Sequence, residues 1–142
     1  MKKVIFICHG SICRSPAAEN IAAFLSKDFE FASRAISYEE IGNDIYPPMK
    51  SALNRAGIPF KRHYAEYLSQ QDIEEAGYIF YMDESNARRL AYAYPKYKDK
   101  FMPIYRFTPS ITEIEDPWYT DRYDLVVKQI TACVKDILKN IV

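Results

Sequence analysis

The stretch Cys8-His9-Gly10-Ser11-Ile12-Cys13-Arg14-Ser15-Pro16, read "CHGSICRSP", decides how the rest of the chain is understood. It follows Val4-Ile5-Phe6-Ile7, a continuous rather than alternating apolar run. Such a run suits a strand buried on both faces of a parallel sheet. Ser15-Pro16 predicts a helix start, with Ser15 as N-cap and Pro16 in the first turn. Ala18, Ile21, Ala22 and Leu25 then recur at helical spacing. A strand, a tight loop of small polar residues and a helix is an arrangement that turns main-chain N–H groups and a helix N-terminus toward an anion. Cys8 and Arg14 stand in a C-x5-R pattern across that loop. A guanidinium fork matches two oxygens of a phosphate. The same field favours negative charge on a thiol, and a thiolate beneath a bound phosphate is placed for in-line attack.

Further along, Phe31 to Ser37 and Tyr78 to Met82 read as strands, and Met49 to Ala56 as a helix stopped by Gly57. Asp83-Glu84-Ser85-Asn86 opens another helix. Phe101 to Phe107 reads as a fourth strand, placed at an edge by Pro103. Thr108 to Thr120 is a long polar and aromatic loop, and Tyr123 to Ile141 carries a strong helical stripe. Alternating strands and helices over 142 residues predict one domain: a doubly wound, four-stranded parallel sheet with helices on both faces. Ligands in such folds sit at the carboxyl ends of strands, where Cys8 lies.

Composition narrows the partners. With 19 Lys+Arg against 19 Asp+Glu there is no global field for nucleic acid or an anionic membrane. The apolar run at the N-terminus is shorter than the roughly 7–15 residues of a signal-peptide core. Three cysteines (Cys8, Cys13, Cys133) do not form a disulfide framework. Both features predict a cytoplasmic protein with reduced thiols. His9 and His63 lack partners at ligand spacing, so no metal site is expected, nor is any cofactor called for. Cys133 lies on the apolar stripe of the last helix and reads as an inert core thiol. Thiolate chemistry on a phosphate ester also needs an acid for the leaving oxygen. Asp116, ahead of Pro117-Trp118-Tyr119, supplies a carboxylate stiffened by the proline and followed by two aromatics that could wall a pocket.

Taken together and in order, "CHGSICRSP", "YMDESN" (81–86) and "DPWY" (116–119) resemble the low-molecular-weight protein tyrosine phosphatases over nearly the whole chain. The resemblance implies hydrolysis of phosphotyrosine through a cysteinyl phosphate. Cys8 would be the nucleophile, Arg14 the phosphate clamp and Asp116 the general acid and later base. His9, Gly10, Ser11, Ile12, Cys13 and Ser15 would form the phosphate-binding loop, with Ser15 supporting the nucleophile. Trp118 and Tyr119 would line the substrate cleft, with Tyr38 and Glu40 on its rim. Phosphotyrosine proteins or peptides are then the expected partners, with inorganic phosphate or vanadate as anion ligands. Cys13 matches the family's second loop cysteine and implies redox regulation. The chain departs from the family pattern at Ser11, usually Asn, and at His9; Ser33 and His63 are the expected supports of Ser11, and the loop is expected to need one or more positive-φ residues, which Gly10 accepts without cost and Ser11 less readily than Asn. Three alternatives share parts of this pattern: a protein-arginine phosphatase, which carries Thr where Ile12 stands; a thioredoxin-coupled arsenate reductase, which needs further downstream cysteines; and a non-catalytic phosphate-binding protein.

Overall fold

A computed structural model describes residues 1–142. Its centre is a four-stranded parallel sheet in the order β2-β1-β3-β4, formed by β1 (Lys3–Cys8), β2 (Glu30–Ala35), β3 (Tyr78–Tyr81) and β4 (Phe101–Pro103). The continuous apolar run of β1 follows from its central position. Val4, Phe6 and Cys8 enter a core with α1 (Arg14–Leu25) and α6 (Tyr123–Asn140). Ile5 and Ile7 enter a second core with Ile73 of α3 (Gln70–Glu75) and Leu90 of α4 (Glu84–Ala93). Helices therefore cover both faces, as the sequence predicts. The chain leaves β1 toward β2 on one side and returns to β3 on the other, so the carboxyl end of β1 is the switch point at which doubly wound sheets bind ligands.

Several local expectations change. Helix α1 begins at Arg14 with Cys13 as N-cap, so Ser15 is not the cap. Its hydroxyl is instead turned to the Cys8 sulfur. The fourth strand ends at Pro103, an edge position as expected, and 104–107 form turns. Helix α2 (Pro47–Arg55) starts before Met49, using Pro47 in its first turn, and Gly57 closes it at φ 74°. Helix α3 was not legible, because Gln70-Gln71-Asp72-Ile73-Glu74-Glu75 buries only Ile73. It is set by Ser69, whose side chain and Asp72 form a capping box. The 108–120 loop contains one further short helix, α5 (Pro117–Thr120).

Phe6 is the central plug of the α1/α6 core. It is fully buried, and its ring stacks on Phe31 and Phe80 at 6.3 and 6.1 Å between centroids. Phe6→Ala should lower unfolding free energy by about 3–5 kcal/mol, measured by urea denaturation. A loss below about 1 kcal/mol would show that this core collapses around the vacancy.

Candidate active site

The loop between β1 and α1 folds around the Cys8 sulfur. Ser11 N–H and Ser15 N–H approach Sγ at 3.3 and 3.4 Å, and Ser15 Oγ at 3.2 Å. Ser15 Oγ is also 2.8 Å from Ser11 Oγ. An ionised sulfur has no proton to give, so opposite a thiolate the Ser15 hydroxyl donates to sulfur and accepts from Ser11. The loop's carbonyls, Gly10 excepted, are engaged by the surrounding protein. Those of Cys8 and His9 accept from Ile36 and Ser37 N–H, that of Ile12 from Tyr46 N–H, and that of Cys13 from Ala17 N–H. The Ser11 carbonyl lies 2.6 Å from His63 Nε2, which must donate because a carbonyl only accepts. By contrast, the N–H groups of His9, Gly10, Ile12, Cys13 and Arg14 donate to no protein acceptor. All these residues border one cavity of about 130 Å³ with Cys8 at its wall. Carbonyls bound by the surrounding protein and N–H groups left unpaired, at the N-terminus of a 12-residue helix, make this cavity an anion receptor.

This shape costs strain at Ser11, which is fully buried at φ 57°. Gly10 is not the left-handed residue. A Cβ there would sit 3.2 Å from Glu40 Cγ, a tight contact that the Glu40 side chain would have to yield to.

Arg14 is 2% exposed at the opposite edge of the loop. Its Nη1 donates to Asp83 Oδ2 at 2.7 Å and to the Ile114 carbonyl at 2.8 Å, while Nη2 lies 3.7 Å from Asp116 Oδ2. Burial works against its charge, but Cys8, Asp116 and Asp83 outweigh it and raise its pKa, so it stays a cation. Asp83 is itself fixed, because its Oδ1 caps α4 at Asn86 N–H, 2.8 Å. Asp116 caps α5 through Oδ1 to Trp118 N–H at 3.0 Å, which leaves Oδ2 on the Arg14 side. Trp118 is half-exposed and rests on Tyr46 at 4.8 Å, and Tyr119 is largely exposed; both border the cavity. Cys13 is buried beside the loop, and burial first, then Cys8 and Asp116, push its thiol well above the ordinary range.

The structure thus gathers Cys8, His9, Gly10, Ile12, Cys13, Arg14, Glu40, Asp116, Trp118 and Tyr119 around one cavity, with Ser11 and Ser15 behind the sulfur. Tyr38 is not among them. It stacks in parallel on Tyr67 at 4.1 Å, because that partner draws its ring off the cavity, and Glu39 borders the site instead. Ser33 does not support Ser11; its hydroxyl donates to Glu19 at 2.6 Å. Of the two expected supports only His63 holds, through the main chain. Asp83 and the Ile114 carbonyl were missed as Arg14 partners. "YMDESN" gave a cap signal, but nothing local announces that the cap's second oxygen reaches a residue 69 positions away.

A family model described as low molecular weight phosphotyrosine protein phosphatase matches residues 3–142. The chain is 34% identical to the human low molecular weight phosphotyrosine protein phosphatase, over 97% of this chain and 94% of that one. It is 31% identical to a Bacillus subtilis low molecular weight protein-tyrosine-phosphatase, over 99% and 96%. Among solved structures, a low molecular weight protein tyrosine phosphatase from Streptococcus pyogenes superposes with a TM-score of 0.91 at 28% identity, covering 100% of this chain and 94% of that one.

The double duty of Asp83 gives a separable prediction. Asp83→Asn keeps a good capping side chain but removes the charge that anchors Arg14. Phosphate affinity should fall by about tenfold or more in an isothermal titration, with little change in thermal midpoint. Equal affinity would show that Ile114 and Asp116 suffice to hold Arg14.

Proposed function

Because the chain belongs to the low molecular weight phosphotyrosine protein phosphatase family, we propose that this cavity hydrolyses phosphotyrosine in proteins or peptides through a phosphate carried on Cys8. The observation that carries the reading is the set of unpaired N–H groups around the Cys8 sulfur, closed by Arg14. These donors, the α1 N-terminus and the guanidinium match the phosphoryl oxygens and stabilise the charge they develop in the transition state. The Cys8 thiolate attacks phosphorus, the bond from phosphorus to the aryl oxygen breaks, and Asp116 gives that oxygen its proton. Water then attacks the cysteinyl phosphate while the Asp116 carboxylate takes up its proton, the sulfur–phosphorus bond breaks, and inorganic phosphate leaves the regenerated thiolate. Trp118, Tyr119 and Ile12 border the cavity and supply apolar surface for the aryl ring. Inorganic phosphate, and vanadate as its analogue, occupy the same loop.

A reducing compartment such as the cytoplasm suits this chemistry, since Cys8, Cys13 and Cys133 are all free thiols. No helix is long and apolar enough to cross a membrane. Cys133 is fully buried in α6 and does not border the cavity that holds Cys8 and Cys13. Cys13 borders the same cavity as Cys8. Peroxide would convert the Cys8 thiolate to a sulfenic acid, and attack by the Cys13 thiol with loss of water would give a disulfide that added thiol reverses.

Two assays test this reading. Cys8→Ser should abolish hydrolysis of aryl phosphates, and Asp116→Asn should lower kcat by about 10²–10⁴, most for poor leaving groups; a uniform loss across leaving groups would remove Asp116 as the acid. After peroxide and then thiol, activity should return in the parent but not in Cys13→Ser; equal, irreversible loss in both would remove the protective disulfide.

A further inference from the structure

The cavity has a charge asymmetry that phosphate chemistry does not explain. Its anion-binding side is the loop described above. Another part of its wall comes from the segment after β2 and presents Glu39 and Glu40. Neither carboxylate helps a phosphate: like charges repel it. Each touches a residue of the phosphate loop. The Glu40 stem packs directly on Gly10, which has no Cβ where one would meet Glu40 Cγ at 3.2 Å, and its Oε2 accepts from Asn43 Nδ2 at 2.7 Å. Glu39 Oε2 lies 3.3 Å from His9 Nε2, the residue that follows the nucleophile. Both acids thus touch the phosphate loop and border its cavity.

No lysine borders the cavity, and its one arginine, Arg14, is buried and paired with Asp83. The chain as a whole carries net charge +0, so the acidic wall is a local feature. With Glu39 and Glu40 unmatched by any permanent cation of the protein at the mouth, the charge complement has to arrive with the substrate. Residues one or two positions from a phosphotyrosine lie within about 3–7 Å of it along an extended chain.

We infer that Glu39 and Glu40 are specificity-determining residues that select phosphotyrosine peptides carrying lysine or arginine next to the phosphotyrosine. This rests on the phosphatase reading. A basic flank pairs with the fixed carboxylates, and an acidic flank meets them as like charges, so the site discriminates by attraction and repulsion together.

The experiment compares kcat/KM for matched phosphotyrosine peptides with lysine or with glutamate at the adjacent positions, alongside free phosphotyrosine. The parent enzyme should prefer the lysine peptide by about three- to tenfold, the scale of one or two exposed ion pairs. The preference should shrink as salt is raised, since exposed charges are screened beyond roughly 10 Å at 0.1 M. In the isosteric double variant E39Q/E40Q the ratio should fall toward unity. A parent that hydrolyses both peptides equally, or a preference that survives in E39Q/E40Q, overturns the assignment while leaving the phosphatase reading intact. Failure to hydrolyse any of the three substrates overturns both.

Discussion

The polarity of one loop governs this molecule. Between Cys8 and Arg14 most main-chain carbonyls are bound by the surrounding protein, while most N–H groups are left unpaired beside the cavity. Unpaired main-chain donors in a shielded site are costly, so the arrangement persists only because its outer side is held from several directions. Ile36 and Ser37 N–H hold the start of the loop, His63 holds Ser11, Tyr46 holds Ile12, and α1 holds Cys13. The left-handed Ser11 is the local expense of that inversion. The β1 strand, buried on both faces at the switch point of the sheet, gives the loop a rigid origin, and α1 gives it a rigid end.

The second element of the site is a buried cation with more than one claim on it. An isolated buried charge costs several kcal/mol. Arg14 offsets this with the Asp83 carboxylate, the Ile114 carbonyl and, more distantly, Asp116. The strong contacts use Nη1, and Nη2 has only a 3.7 Å neighbour. One end of the guanidinium is thus anchored to the frame and the other remains for an anion. Asp83 and Asp116 reach this place because each caps a helix with one oxygen and offers the other to the site. Helix capping here serves as the positioning device for the two carboxylates beside Arg14.

Much of this was legible in the sequence wherever a local signal was also the structural cause. The unbroken apolar run before Cys8, the Asp83 cap, the Pro103 edge and the stripe of the last helix each report a burial or a hydrogen bond made by the residues themselves. The placement of the loop was legible because C-x5-R sits between a strand and a helix. What escaped was set by distant partners. Ser15 looks like an N-cap but answers to the Cys8 sulfur, seven residues back. Tyr38 looks like a cleft aromatic but finds Tyr67. Ser33 finds Glu19, and Gly10 lies against the Glu40 side chain rather than taking the loop's positive φ. None of these pairings leaves a periodicity or a turn signature.

The central claim is that the anion receptor serves a covalent step on sulfur. The most direct measurement mixes the Asp116→Asn protein with p-nitrophenyl phosphate, quenches in acid within one turnover, and maps the phosphorylated residue by peptide mass spectrometry. This account predicts a phosphate on Cys8 and on no other residue of the loop, formed in a burst and lost as inorganic phosphate appears. A phosphate on His9, Ser11 or Ser15, or product release with no phosphoenzyme at any time, would contradict it.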